Sequence, residues 1–227
     1  MKHIEKNLKD IIEKINIAKE KAGRNDEVLL VGVTKTFPVA VIEDSISLNI
    51  LDVGENKAQE FKEKYDIIKN RVNWHFIGHL QKNKVKYVVG KVKLIHSVDS
   101  FELAKEISNK AQKLDLIQDI LLEVNISGEE SKFGLNKESV VPLLKEISLL
   151  PGIKVKGLMT MAPNSRDHEY VRSIFRKLRE LRDEIVILDI ANISMEYLSM
   201  GMSQDYELAI LEGANVIRVG SSLYGNR

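Results

Sequence analysis

A chain of 227 residues with 44% hydrophobic and 30% charged side chains has material for one large domain or two small ones, with a sizeable core. A formal net charge of +1 gives no reason to expect nucleic acid or an anionic membrane as partner, and zero cysteines exclude disulfides, thiolate catalysis and cysteine-ligated metals. The opening Met1-Lys2-His3-Ile4-Glu5 lacks the apolar centre of a signal peptide and no apolar run reaches membrane-spanning length, so the expectation is a soluble, cytoplasmic protein.

From Ile4 to Ala22, Ile4, Leu8, Ile11, Ile12, Ile15 and Ala18 fall at helical spacing, with Gly23 as a stop. Strand-then-helix alternation follows. Leu29 to Thr34 reads as a buried strand, with a helix from Pro38 to about Leu48. Leu51 to Gly54 is a short strand, and Asn56 to Lys69 a helix. Val72 to Ile77 precedes a basic helix near Gln81 to Val89. Val92 to Val98 precedes a helix capped by Ser100 or Asp99 and running to Leu114.

Asp119 to Ile126 is the clearest strand, followed by a polar loop from Ser127 to Leu135 and a helix from Lys137 to Leu150. Val155 to Thr160 is a strand and Asp167 to Asp183 an amphipathic helix, while Glu184 to Ile193 is ambiguous. Tyr197 to Met200, a helix from Asp205 to Glu212, and the strand Val216 to Val219 complete the series. About eight strand–helix pairs without hairpin signals predict an α/β fold of the (β/α)8 TIM-barrel type, with an extra N-terminal helix and a single domain over 1–227. An open doubly wound sheet satisfies the same alternation. Against it, the turn Thr34-Lys35-Thr36-Phe37-Pro38 carries no glycine for a dinucleotide.

In a barrel the chemistry sits at the carboxyl ends of the strands, and those ends carry Lys35, Glu55-Asn56, Gly78-His79, Met159-Thr160-Met161, Gly201-Met202-Ser203 and Gly220-Ser221-Ser222. A lysine at the mouth of an apolar strand is either a snorkelling edge charge or an amine tuned to form an imine. The two glycine–serine turns after the last strands suit a phosphate, since glycine lets backbone N–H groups approach an anion and hydroxyls add donors. Arg218 alternates with Ile217; it is either paired with a carboxylate inside the barrel or aimed at a ligand acceptor. In the second case its charge would draw the Lys35 pKa down from about 10.4.

Other groups read more weakly. His75 and His79 are four apart but straddle a strand end, with no third metal ligand in view, so no metal is expected. His3, His96 and His168 read as surface or packing residues, and Lys82, Lys84 and Lys86 as a solvated helix flank. The methionines at 159, 161, 195, 200 and 202 are core, with a possible use as soft lining for a planar ring. Asn56 and Ser131 are polar groups at the rim.

The wording of the motifs resembles the pyridoxal-phosphate homeostasis proteins, a single-domain branch with the barrel of alanine racemase. The matching stretches are Val33-Thr34-Lys35, Gly54-Glu55-Asn56, Trp74 through Lys84, Glu123 through Ser127, Ser131-Lys132-Phe133-Gly134, Lys156 through Met159, Leu198 through Ser203 and Arg218 through Gly225. The resemblance implies that Lys35 holds pyridoxal 5'-phosphate as an imine and that Arg218 faces its pyridine nitrogen. It also implies that Ser203, Gly220 and Ser221 hold the phosphate, with Asn56 near the ring and Met200 lining it.

A guanidinium beside the ring nitrogen weakens the cofactor as an electron sink. Efficient racemisation on this fold needs a second acid/base group from a further domain, and the chain is expected to have none, since it stops at Arg227. The leading expectation is therefore a non-catalytic, monomeric carrier that buffers the aldehyde and delivers it to apo-enzymes. The alternatives are an amino-acid racemase of restricted activity, with Tyr224 or His79 as its acid/base group, and an aldolase-like barrel using Lys35 on a phosphosugar.

Overall fold

The computed structural model describes residues 1–129 and 132–225. Helix α1 (Lys2–Lys21) leads into β1 (Leu29–Val33), α2 (Val39–Ser47), β2 (Asp52–Glu55), α3 (Ala58–Ile68), β3 (Asn73–Phe76), α4 (Val85–Val88), β4 (Leu94–Val98) and α5 (Phe101–Gln112). The series continues with β5 (Gln118–Glu123), α6 (Lys137–Ile147), β6 (Ile153–Met159), α7 (His168–Ile187), β7 (Ile193–Met202), α8 (Tyr206–Leu211), β8 (Val216–Val219) and α9 (Ser221–Tyr224). Each strand pairs in parallel with the next. Register from Leu29↔Val216 to Gly32↔Val219 joins β1 to β8 and closes the barrel. The closed (β/α)8 barrel with its N-terminal helix is the architecture read from the sequence, and closure removes the open doubly wound sheet.

The helices form where caps and apolar stripes dictate. Ser100 accepts from the Leu103 amide, Asn136 from that of Ser139 and Asp167 from that of Tyr170, starting α5, α6 and α7. Val171, Ile174, Phe175, Leu178, Leu181 and Ile185 lie on one face of α7 and are buried, at the three- and four-residue spacing of a core-facing helix. Helix α1 buries Ile4, Ile11, Ile15 and Ala18 and packs on α8 and α9. Asn7 Nδ2 donates to the Leu223 carbonyl at 3.0 Å, pinning it there.

Most of the core lies between strands and helices. A smaller cluster of Leu94, Leu121 and Met159 lies apart from it. His96 on β4 and Ser199 on β7 are bonded at 2.8 Å although β5 and β6 separate their strands, so this contact crosses the barrel interior.

Several element boundaries differ from expectation. The ambiguous stretch resolves into the end of α7, at Ile187, and a turn through Asp189 and Asn192, both at positive φ, before β7 starts at Ile193. The expected basic helix is a 3-10 turn at Lys82–Lys84 plus the single turn of α4, stopped ahead of Gly90 at φ +79°. The β5 strand ends at Glu123 rather than Ile126, because the chain there bridges to the returning loop: the Asn125 amide donates to the Leu135 carbonyl and the Leu135 amide to the Glu123 carbonyl. After β8 the chain forms the single turn of α9.

Candidate functional site

A cavity of about 550 Å³ opens at the carboxyl ends of the strands. Lys35, Asn56, Ser203, Arg218, Gly220 and Ser221 all line it, and Val33, Ile77, Met202 and Leu208 supply apolar wall. Six of the seven residues singled out in the sequence thus converge. Met200 does not: it is fully buried in the core, and Met202, two residues on, takes the place at the cavity wall. The outer wall comes from the segment Met161–Ser165 and from His168 at the start of α7, which the sequence had assigned to surface or packing. Ser131 lies outside the described residues.

Lys35 sits just past β1 on a turn that Phe37 closes by donating its amide to the Thr34 carbonyl at 3.0 Å. The turn is braced from behind by buried charge. Lys64, from α3, donates to the Thr34 carbonyl at 2.7 Å, to Glu55 at 2.8 Å and to Glu60 at 2.7 Å. The Thr34 hydroxyl also donates to Glu55, and the Thr36 amide, at φ +64°, donates to Glu60. Burial raises the Glu55 pKa, with the Lys64 charge opposing it, and Glu55 Oε2 is buried without a hydrogen-bond partner. Nothing in the sequence pattern pointed to Lys64.

The two glycine–serine turns meet at Ser203. Its Oγ accepts from the amides of Gly220 at 3.1 Å and Ser222 at 3.3 Å, and Ser222 Oγ donates to the Ser203 carbonyl at 3.1 Å. Asp205 shapes the first turn by accepting from the Met202 amide at 2.6 Å. These bonds hold Ser203, Gly220 and Ser221 side by side on the cavity wall, where the Ser203 and Ser221 hydroxyls are donors of the kind a phosphate needs.

Arg218 is 3% exposed, and the two readings left open for it resolve in part. Among the described residues it makes no ion pair. Its Nη1 donates to Ser199 Oγ at 2.6 Å and its Nη2 to the Thr160 carbonyl at 3.0 Å, while the side chain also lines the cavity. Burial lowers its pKa to about 10, with Asp205 and Glu123 pulling the other way. Glu123, at the end of β5, is buried and raised to about 7, by burial first and by repulsion from Asp99 second, with Arg218 opposing.

The remaining candidates lie elsewhere. The Tyr224 hydroxyl is 2.9 Å from Ser45 Oγ, and burial pushes its pKa up to about 12. His79 stacks on Phe133 with ring centroids 4.1 Å apart and lies 3.6 Å from Asp99. Neither lines the cavity. His75 turns away from His79 and bonds to His96 and Asp52, so the two histidines do not converge. His96, taken as surface or packing, is a fully buried member of that polar chain. Its signal was a histidine inside an apolar strand, which needs a partner that sequence alone does not name.

Barrel, strand-end lysine, last-strand arginine and hydroxyl-rich turns define a class, and the comparisons agree with it. The family model for the alanine racemase N-terminal domain matches residues 7–227. The chain belongs to that family, within its branch of pyridoxal phosphate homeostasis proteins. It is 47% identical to the protein of that name from Aquifex aeolicus, over 97% of this chain and 96% of the relative, and 34% identical to the one from Pseudomonas aeruginosa, over 100% and 97%. Among solved structures, PipY of Synechococcus elongatus with pyridoxal phosphate bound superposes with a TM-score of 0.85 at 29% identity, covering 98% of this chain and 100% of that one. An alanine racemase from Clostridium difficile shares the fold, with a TM-score of 0.74 at 18% identity over 98% of this chain and 57% of that one.

Proposed function

We propose that this protein binds pyridoxal 5'-phosphate and acts as its carrier and buffer. The observation that carries the reading is the set of residues that line one cavity: Lys35, Arg218 and the Ser203–Gly220–Ser221 turns. These chemistries fit an aldehyde, a pyridine nitrogen and a phosphate respectively. Lys35 would hold the cofactor through its aldehyde, the chemistry an amine at a strand end can supply. When bound, the cofactor supplies a reactive carbonyl and a conjugated ring. The chain's own contribution would be to anchor the phosphate with Ser203, Gly220 and Ser221, to bound the ring with Asn56 and the apolar wall, and to offer the Arg218 guanidinium to the ring nitrogen. The relative named PipY, solved with the same cofactor, supports the assignment.

A carrier is favoured over a racemase by where Tyr224 and His79 stand. Both were the candidates for an opposing acid/base group, and neither reaches the cavity wall. In this reading residues 1–227 act as one cofactor-binding domain, a cytoplasmic monomer that passes its aldehyde to cofactor-free enzymes and so influences amino-acid and keto-acid metabolism.

The test is visible absorbance of the protein incubated with pyridoxal 5'-phosphate, then borohydride reduction and peptide mapping. A yellow imine band fixed by reduction onto Lys35 supports the reading. No band, or label scattered over surface lysines, overturns it and restores the phosphosugar barrel.

A further inference from the structure

A polar chain runs through the barrel from its floor to the cavity. Arg218 Nη1 meets Ser199 Oγ at 2.6 Å, and Ser199 Oγ meets His96 Nδ1 at 2.8 Å. His96 Nε2 meets His75 Nδ1 at 2.9 Å, and His75 Nε2 meets Asp52 Oδ1 at 2.9 Å. Asp52 is the first residue of β2, at the amino ends of the strands, where Lys93 at 3.2 Å and Asn73 at 3.3 Å also hold it. Ser199, His75 and His96 are all fully buried.

The two ends dictate the direction of every bond between them. A guanidinium only donates and a carboxylate only accepts. Ser199 accepts from Arg218 and gives its one proton to His96 Nδ1. His96 therefore carries its proton on Nε2 and donates to His75 Nδ1, and His75 donates from Nε2 to Asp52. The opposite tautomers would set the His75 Nε2 lone pair against the Asp52 carboxylate, unless the ring were cationic. Burial disfavours that charge on both rings, and on His96 repulsion from His75 and Arg218 adds to it.

A buried guanidinium without an ion-pair partner is costly, and a run of aligned hydrogen bonds ending in a carboxylate offsets part of that cost by mutual polarisation. We propose that Ser199, His96, His75 and Asp52 are positioning residues for Arg218: a one-way hydrogen-bond relay through which a carboxylate on the far side of the barrel holds the guanidinium charged and oriented toward the ring acceptor of the ligand. The last clause rests on the pyridoxal phosphate reading. The relay itself does not.

The first experiment therefore uses the ligand-free protein. Long-range 15N–1H spectra of labelled protein between pH 5 and 8 should show both His75 and His96 neutral, protonated on Nε2, and not titrating. The Arg218 guanidinium protons should exchange slowly. A proton on Nδ1 of either ring, or an imidazolium within this range, overturns the relay. His96→Gln keeps an acceptor and a donor in the chain, whereas His96→Leu breaks it. Exchange at Arg218 should speed up about tenfold in His96→Leu, the scale of one hydrogen bond lost from the chain, and return toward wild type in His96→Gln.

Affinity for pyridoxal 5'-phosphate should weaken by a similar factor in His96→Leu and by less in Asp52→Asn, which keeps the acceptor and removes the charge. A folded His96→Leu protein with wild-type exchange and affinity sinks the proposal. If His96→Leu does not fold, Asp52→Asn, at the partly exposed end of the chain, decides by the same readout, with faster exchange at Arg218 expected. Failure of wild type to take up the cofactor would instead strike the functional reading, leaving the exchange and tautomer results to judge the relay.

Discussion

The ammonium of Lys64 lies 2.7 Å from the carbonyl oxygen of Thr34, the residue immediately before the lysine that faces the cavity. The same ammonium bonds Glu55 and Glu60, so an ion triad buried at Lys64 and Glu55, on the outer side of β1 and β2, fixes the backbone on which Lys35 is presented. Lys64→Met leaves Glu55 as an uncompensated buried carboxylate and should cost roughly 3–5 kcal/mol in a urea titration at neutral pH. The Glu55 pKa is already raised by burial, and losing Lys64 raises it further. The deficit should therefore narrow as the pH falls through that folded pKa and the carboxyl becomes neutral. Imine formation on Lys35 should slow in the same variant. A deficit that grows toward acid would show the triad to be misread.

Ser203 accepts from the amides of Gly220 and Ser222, which lie on the partly exposed turn after β8. Removing the hydroxyl should cost about 1 kcal/mol of stability, since water reaches those amides. Its effect on binding should be selective. Ser203→Ala should weaken pyridoxal 5'-phosphate about tenfold and leave pyridoxal, which has no phosphate, unchanged. Equal losses for both ligands in a fluorescence titration would remove Ser203 from the phosphate site.

Glu123 carries a linkage of definite sign. Its folded pKa stands at about 7 against an ordinary 4.5, so between those values the folded state holds a proton that the unfolded state has released. Stability must fall as pH rises through this window, by at most about 3 kcal/mol from this group alone. Glu123→Gln removes the titration. Its stability should be flatter than wild type between pH 4.5 and 7, and relatively greater at pH 7.5. Parallel curves for the two proteins would contradict the buried placement.

The barrel was legible because periodicity and turn chemistry are local. The apolar stripe of α7, the cap at Ser100 and the glycine–serine ends of β7 and β8 each announce themselves within a few residues. The cavity residues were legible for the related reason that strand ends converge in a barrel once the strands are placed. Met200 was misplaced because β7 pairs with β8 through a register irregularity between Ser199 and Met202, which breaks simple alternation and brings Met202 to the wall. The Asp52–His75–His96–Ser199 chain and the Lys64 triad were not legible. Each joins residues from several elements, and hydrogen-bond partners across a closed barrel leave no spacing signature along the chain.

Tyr224 offers the sharpest test of carrier against racemase. Its hydroxyl is buried against Ser45 on α2, and a Cβ at Gly32 would overlap it, so it packs on the outside of β1 rather than over the cavity. Ser45 Oγ also bonds the Val41 carbonyl at 2.8 Å, so it keeps a partner when the phenol is cut back. Tyr224→Phe should therefore lose only about 1 kcal/mol of stability. Cofactor uptake and the imine spectrum should match wild type, as should whatever slow exchange of an amino-acid α-proton the wild-type protein supports. A fall in that exchange of a hundredfold or more, the scale of a lost general acid or base, would bring the racemase reading forward and mean that α9 moves to carry the phenol into the cavity.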